Sequence, residues 1–269
     1  MKNILLLAHA DRGQDARLRV AIDVARALHG HLTILDVSII PEVVTDYVPM
    51  GGEALLLADE QARERRNIDD VRAAVERENV PFDLIAATGD LTTCIRDASG
   101  LTDLVVVNRE LDHALYPNTL DVAGRLIVEA KLPVLAVPDD ATGLKVTGHA
   151  LVAWDGSEDA EAALQTALPL LKHAGKVTVM HVDDGSLKLP IEHAVRYLAR
   201  YQIKPIVKRE VLLSDPAGIV ILGEAATGGV DYVVMGGFGH SRFVESVFGG
   251  VTERMLTDSP VPVLLVHRR

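Results

Sequence analysis

The sequence predicts an α/β protein built from two tandem doubly wound domains, each a five-stranded parallel sheet with helices on both faces. Three observations predict it. Short apolar runs alternate with segments of helical length throughout the 269 residues, and such alternation means parallel strands joined by crossover helices. The order starts afresh after a linker, 138–145. The two passages also share landmarks: Ala8-His9-Ala10-Asp11 answers Ala153-Trp154-Asp155-Gly156, Leu35-Asp36-Val37 answers Met180-His181-Val182, and Asp103-Leu104-Val105-Val106-Val107 answers Asp231-Tyr232-Val233-Val234-Met235. The endings agree best, Pro133-Val134-Leu135-Ala136-Val137 against Pro262-Val263-Leu264-Leu265-Val266. This is a tandem duplication, with domains expected at 1–140 and 146–269.

In the first passage the pattern predicts strand 3–8, helix 15–28, strand 32–37, an irregular segment 38–57 bearing Pro41, Pro49, Gly51 and Gly52, and a charged helix 58–79. Ala62, Arg65, Arg66, Asp69 and Asp70 give that helix a polar outer face, so it reads as a solvated helix rather than a binding element. Strand 82–87, helix 91–98, strand 103–107, helix 118–130 and strand 133–137 complete the passage. The second reads as strand 149–154, alanine-rich helix 158–173, strand 176–182, helix 190–202, strand 206–212, helix 216–227, strand 230–235, helix 243–257 and strand 262–266.

Composition narrows the function. Hydrophobic residues make up 48% of the chain and charged ones 24%, which suits a folded soluble protein. Four Phe, five Tyr and one Trp leave Val, Leu, Ile and Ala to fill the cores. The net charge of −11 is uneven: residues 1–140 hold 24 acidic and 14 basic side chains, and the remainder 14 and 13. An acidic first half and a second half without a basic run argue against a nucleic-acid partner. Cys94 is the single cysteine, which excludes an internal disulfide and points to a reducing, cytoplasmic setting. The apolar start Ile4-Leu5-Leu6-Leu7-Ala8 is a first strand, too short for a signal or membrane segment, and no later stretch approaches a membrane span.

Chemistry concentrates at Met235-Gly236-Gly237-Phe238-Gly239-His240-Ser241, followed by Gly249-Gly250. A glycine-dense turn at the carboxyl end of a parallel strand brings backbone N–H groups near an anion, because no Cβ blocks the approach. Glycines alone equally fit a tight strand-to-helix turn. The first passage has Asn108-Arg109-Glu110-Leu111-Asp112-His113 at the matching place, where side chains fill the space and Glu110 and Asp112 repel phosphate. That half therefore reads as a degenerate, structural or regulatory partner.

Gly236, Gly239 and Gly249 stand in the spacing Gly, two residues, Gly, nine residues, Gly. With Asp155, Val182, Asp215-Pro216 and Ser259-Pro260-Val261-Pro262-Val263, this pattern resembles the universal stress protein family in its tandem form, across essentially the whole chain. The resemblance implies an adenine nucleotide alpha hydrolase-like fold, with the last strands 133–137 and 262–266 pairing across a pseudo-twofold axis into an intrachain pseudo-dimer. It also implies a stress-response role and adenine-nucleotide binding, preferably ATP, with Mg2+ a possible companion. Ala153, Trp154, Asp155 and Val182 would surround the base and Met235 would lie beneath the adenosine. The backbone of Gly236, Gly239, Gly249, Gly250 and Val251 would cradle the phosphates.

Gly250 stands where the family carries Ser or Thr, which removes one hydroxyl donor. Ser241 is placed to replace it or to cap a helix, and Arg242 and His240 are further candidates for phosphate contacts. Ser214 stands where glycine is common, and Phe238 either covers the ligand or packs. Two roles are open to Asp155, a contact to ribose or adenine and a helix cap in competition with Ser157. Two are likewise open to Trp154, stacking on adenine and core packing. Asp183 and Asp184 either hold magnesium beside a triphosphate or form a solvated loop.

Ser157, Ser241, His181 and Asp155 show no nucleophile elbow, so hydrolysis is expected to be slow at most. His149, His173, His181, His193 and His240 lack paired metal-ligand spacing. The expected protein is a nucleotide-binding sensor or regulatory module that assembles further as a homodimer or with an unidentified protein partner. A nucleotide-independent scaffold is the alternative, and a slow nucleotide hydrolase the lesser one.

Overall fold

The computed structural model describes residues 1–39, 52–109, 119–183, 185, 187–211, 216–238 and 250–268, without the side chains of 52–57, 59, 60 and 119–121. The first half runs β1 (Asn3–Ala8), α1 (Gln14–Leu28), β2 (His31–Ile39), α2 (Gly52–Glu78), β3 (Phe82–Gly89), α3 (Leu91–Ala98), β4 (Leu104–Asn108), α4 (Thr119–Val128) and β5 (Val134–Val137). The second runs β6 (His149–Ala153), α5 (Glu158–Leu171), β7 (Lys176–Asp183), α6 (Glu192–Arg200), β8 (Ile206–Val211), α7 (Ala217–Thr227), β9 (Tyr232–Gly236), α8 (Gly250–Asp258) and β10 (Val263–Val266).

The ten strands form one continuous sheet in the order β3-β2-β1-β4-β5-β10-β9-β6-β7-β8. Every pairing within a half is parallel. The halves join where β5 and β10 run antiparallel, with Leu264 opposite Leu135 and Val263 opposite Ala136. Both strands are fully buried, so each covers an apolar edge that the other half would otherwise expose.

Strand alternation sends side chains to two cores, one on each face of the sheet. Leu6, Ile34, Val106, Leu135, Val152 and Leu264 meet α1 and α5 on one face. On the other, Leu5, Leu7, Val105, Met180, Val233 and Leu265 meet α4, α7 and α8. Both cores run through both halves.

The recurrent landmarks have structural causes. Asp103 Oδ2 accepts from the backbone N–H groups of Lys2 at 2.6 Å and Asn3 at 2.9 Å. Asp231 Oδ2 accepts from the His149 N–H at 2.6 Å. Each aspartate pins the start of the neighbouring strand. Burial alone raises the Asp103 carboxyl, but the Asn3 and Lys2 N–H groups and the chain's amino terminus outweigh it and hold the pKa below its ordinary value.

Two elements differ from the sequence expectation. Helix α2 begins at Gly52 rather than 58, because Ala54-Leu55-Leu56-Leu57 are strong helix formers that continue the helix upstream. Its positions Ala62, Arg65, Arg66, Asp69 and Asp70 are exposed as expected, but its inner face carries buried Glu64 and Asn67 beside Val71 and Val75. Helix α8 is described only from Gly250, so the expected start at 243 lies outside the described residues. No described helix is long and apolar enough to cross a membrane.

Candidate functional site

Parallel strands deliver their carboxyl ends to one rim, and an open α/β sheet forms a crevice where its strand order reverses. Each half has such a point, between β1 and β4 and between β6 and β9.

In the second half, Ala153 ends β6, Val182 lies near the end of β7, and Met235-Gly236 ends β9. Ala153, Val182 and Met235 pack into the core on the α7/α8 face, so alternation brings these three to one side of the rim. Gly250 and Val251 open α8, whose first-turn N–H groups have no intrahelical acceptor. The Phe238 N–H donates to Thr252 Oγ1 at 3.3 Å, which ties the end of β9 to the first turn of α8. Gly239, His240, Ser241, Arg242 and Gly249 lie outside the described residues, as do Asp184, Ser214 and Asp215. The start of α8 is nevertheless tied to the end of β9, the strand beside β6.

The two described glycines differ in what surrounds them. A Cβ on Gly236 would stand 2.8 Å from the Ala160 amide nitrogen and 2.8 Å from Asp159 Cβ. The first turn of α5 therefore requires glycine there for packing alone. A Cβ on Gly250 would meet nothing within 4 Å, and this residue is exposed.

Trp154 does not join Ala153, Val182 and Met235. One residue beyond Ala153, its side chain points to the opposite face, where it is 3% exposed within the α1/α5 core. Its indole N–H donates to the Leu189 carbonyl at 3.0 Å. There it lines a surface groove of about 410 Å3 between α5 and α6, with His193, Arg196, Tyr197 and Arg200. Phe238 is likewise a core residue, buried at 7% exposure with φ +63°.

Ser157 is the cap of α5, accepting from the Ala160 N–H at 3.1 Å. Asp155 is thus released from capping. Its Oδ1 accepts from the Ser157 N–H at 2.9 Å and its carbonyl from the Lys188 N–H at 2.9 Å, which holds a half-buried carboxylate at the rim. His181 is 5% exposed with Nδ1 2.9 Å from the Trp154 carbonyl, an arrangement that braces the strand end. Asp183 Oδ1 accepts from the Gly185 N–H at 3.3 Å. No three His, Cys, Asp or Glu side chains cluster for a metal among the described residues.

In the first half, polar side chains knit the start of α1 to the ends of β1 and β4. Arg17, fully buried on α1, donates Nε to the Leu7 carbonyl at 2.6 Å and Nη2 to the His9 carbonyl at 2.9 Å. It also pairs with Asp11 at 3.0 Å and with Asn108. Asn108 Nδ2 reaches Asp139 Oδ1 at 2.8 Å, and a Cβ on Gly13 would collide with that amide. Here the helix start carries the glycine and the strand end the side chain, the reverse of Asp159 and Gly236. Beside this cluster His9 Nδ1 lies 2.9 Å from Glu64 Oε1. Burial pushes the Glu64 carboxyl up, but the hydrogen bond and charge of His9, with the Ala10 N–H and Arg63, bring it below its ordinary value.

Of the residues to which the degenerate first site was attributed, Glu110, Leu111, Asp112 and His113 lie outside the described residues, and Arg17, which anchors α1 to the end of β1, was missed although its signal was present. Arg17, Val20, Ala21 and Val24 fall on one helical stripe, so a cation stood on an inward-facing face.

Comparison with known proteins agrees with this fold. Residues 186–267 match the sequence model of the Universal stress protein family. Universal stress protein Slr1230 of Synechocystis sp. is 24% identical, over 98% of this chain and 99% of its own. The crystal structure of a universal stress protein from Archaeoglobus fulgidus superposes with a TM-score of 0.77 at 19% identity, covering 99% of this chain and 98% of the other. A putative universal stress protein from Pseudomonas aeruginosa gives 0.59 at 19% identity, covering 99% and 93%. With its duplicated five-stranded halves, the chain shares the fold of these proteins over its full length, and residues 186–267 carry the sequence match to the universal stress protein family.

Proposed function

We propose that the second domain, residues 146–269, binds ATP or another adenine nucleotide, and that the first, residues 1–140, is a structural partner. The observation that carries this reading is the hydrogen bond from the Phe238 N–H to Thr252, which ties the end of β9 to the first turn of α8, with Ala153, Val182 and Met235 in the core on the same face of the sheet. Small and apolar side chains suit a planar base, the Asp155 carboxylate suits ribose or amine donors, and N–H groups opening α8 suit phosphate. In the first domain Glu110 and Asp112 stand in place of the glycine-bearing stretch, which favours one nucleotide per chain. The backbone of Gly239, Gly249, Gly250 and Val251, with His240 and Ser241, is assigned the phosphates, and Mg2+ would be carried with the triphosphate. Gly236 keeps its place at the rim but needs no ligand to explain it.

With Ser157 and His181 held in structural hydrogen bonds, the described residues offer no nucleophile and base pair. The role that follows is a sensor in which nucleotide occupancy of 235–251 alters partner binding. Calorimetric titration of nucleotide-stripped protein with ATP, with and without magnesium, tests it. One site per chain, lost in Gly239→Val, is expected. Absence of binding by ATP, ADP and AMP at millimolar concentration would instead establish a nucleotide-independent interaction protein, the reading favoured by the glycine at 250.

A further inference from the structure

Joining the halves through β5 and β10 leaves β3 and β8 as the outer strands of the sheet, and β8 exposes three large apolar residues where β3 exposes Ile85 alone. Ile206 is 53% exposed, Val207 36% and Val211 70%. An edge strand turns the N–H and C=O of alternate residues outward, and exposed apolar side chains beside that row make it a template for another strand. The residues between them are charged: Lys208, Arg209 and Glu210.

The faces of β8 are fixed by its contacts. Lys208 reaches Glu224 on α7 at 2.5 Å, so residues 206, 208 and 210 face α7. Arg209 pairs with Glu192 of α6, so 207, 209 and 211 face α6.

We propose that β8 is a self-association surface on which a second copy of this chain adds its own β8 antiparallel. The twofold axis passes through Arg209. Directly opposed residues of two strands in one sheet must share a face. Twofold registers are therefore limited to those centred on a single residue. Centring on Lys208 opposes Lys to Lys and Val207 to Arg209. Centring on Glu210 opposes Glu to Glu and Arg209 to Val211. Centring on Arg209 opposes Val207 to Val211 twice and Lys208 to Glu210 twice. Each Arg209 keeps its own Glu192, which offsets the one like-charged pair on the axis. The apolar and charged residues of this strand are thus self-complementary in a single register. Six-residue strands bury a small area, so the dimer is weak and depends on concentration.

Sedimentation velocity of the full chain, with Glu210→Lys and Lys208→Glu variants, tests the register. Wild type is expected to shift from monomer toward dimer by about 100 μM. Each variant alone places like charges opposite one another twice and is expected to stay monomeric. An equimolar mixture of the two restores both opposite-charge pairs and is expected to form a mixed dimer. Circular dichroism and thermal melts establish that both variants fold. A monomeric wild type over that range overturns the proposal. So does a dimer that persists in either variant, which would place the contact elsewhere, for instance on β3, or failure of the folded variants to associate when mixed.

Discussion

Gly236 and Gly250 look interchangeable in sequence and have opposite physical reasons for being glycine. A methyl at Gly236 would press on backbone atoms of α5, and the helix start cannot yield without losing its Ser157 cap. Gly236→Ala is therefore expected to lower unfolding free energy by about 1–3 kcal/mol in urea titrations. At Gly250 the added side chain points into open space. Gly250→Ser should leave stability within about 0.5 kcal/mol and tighten ATP binding up to about tenfold by restoring one hydroxyl donor. An unchanged affinity would show that this position does not reach the phosphates. Trp154→Phe separates the two roles open to that residue. Loss of the bond to the Leu189 carbonyl should cost about 1 kcal/mol of stability, with ATP affinity retained because the indole lies on the other face of the sheet.

At the scale of elements, α1 and α2 are held to the end of β1 by polar groups as well as by apolar packing. Arg17 links α1 to two strand-end carbonyls, and Asp11 beside it is neutralised by nothing else among the described contacts. Arg17→Met should therefore cost about 3–5 kcal/mol, since it leaves a buried carboxylate without its cation. Arg17→Met with Asp11→Asn should recover part of that loss in the same denaturation assay. Helix α2 adds a pH dependence through Glu64. Its folded pKa lies below the ordinary value of 4.5, so protonation opposes folding. Its contribution is complete above 4.5 and is lost as pH falls through the lower folded value. Glu64→Gln should flatten the stability profile on the acid side of pH 4.5, measured by thermal melts across that range.

At the scale of the molecule, the antiparallel β5–β10 seam and two cores spanning both halves make the chain one cooperative unit rather than two beads. Arg109 Nη1 crosses the seam to the Ser259 carbonyl at 2.8 Å, and Leu265 and Ile127 close around Gly237. Calorimetric unfolding is expected to give a single transition with equal van't Hoff and calorimetric enthalpies. Two resolved transitions would show that the seam is weaker than the cores.

The sequence alone determined the strand and helix order, the duplication, and the rim to which the candidate site residues Ala153, Val182 and Met235 are delivered. These follow from periodicity, from strand-ending glycines and from Asp103 and Asp231, all of which act locally. It also placed Ala153, Val182 and Met235 together, because parallel strands of similar phase bring equivalent ends to one side. Only the tertiary structure decided which face Trp154 takes, that Gly236 answers to α5, and that Arg17 ties α1 to the end of β1. These depend on what stands across a contact between residues far apart in the chain: Leu189, Asp159 and Asn108. Such pairings leave a mark in the sequence only where a residue breaks its local pattern, as Arg17 does on an apolar helical stripe.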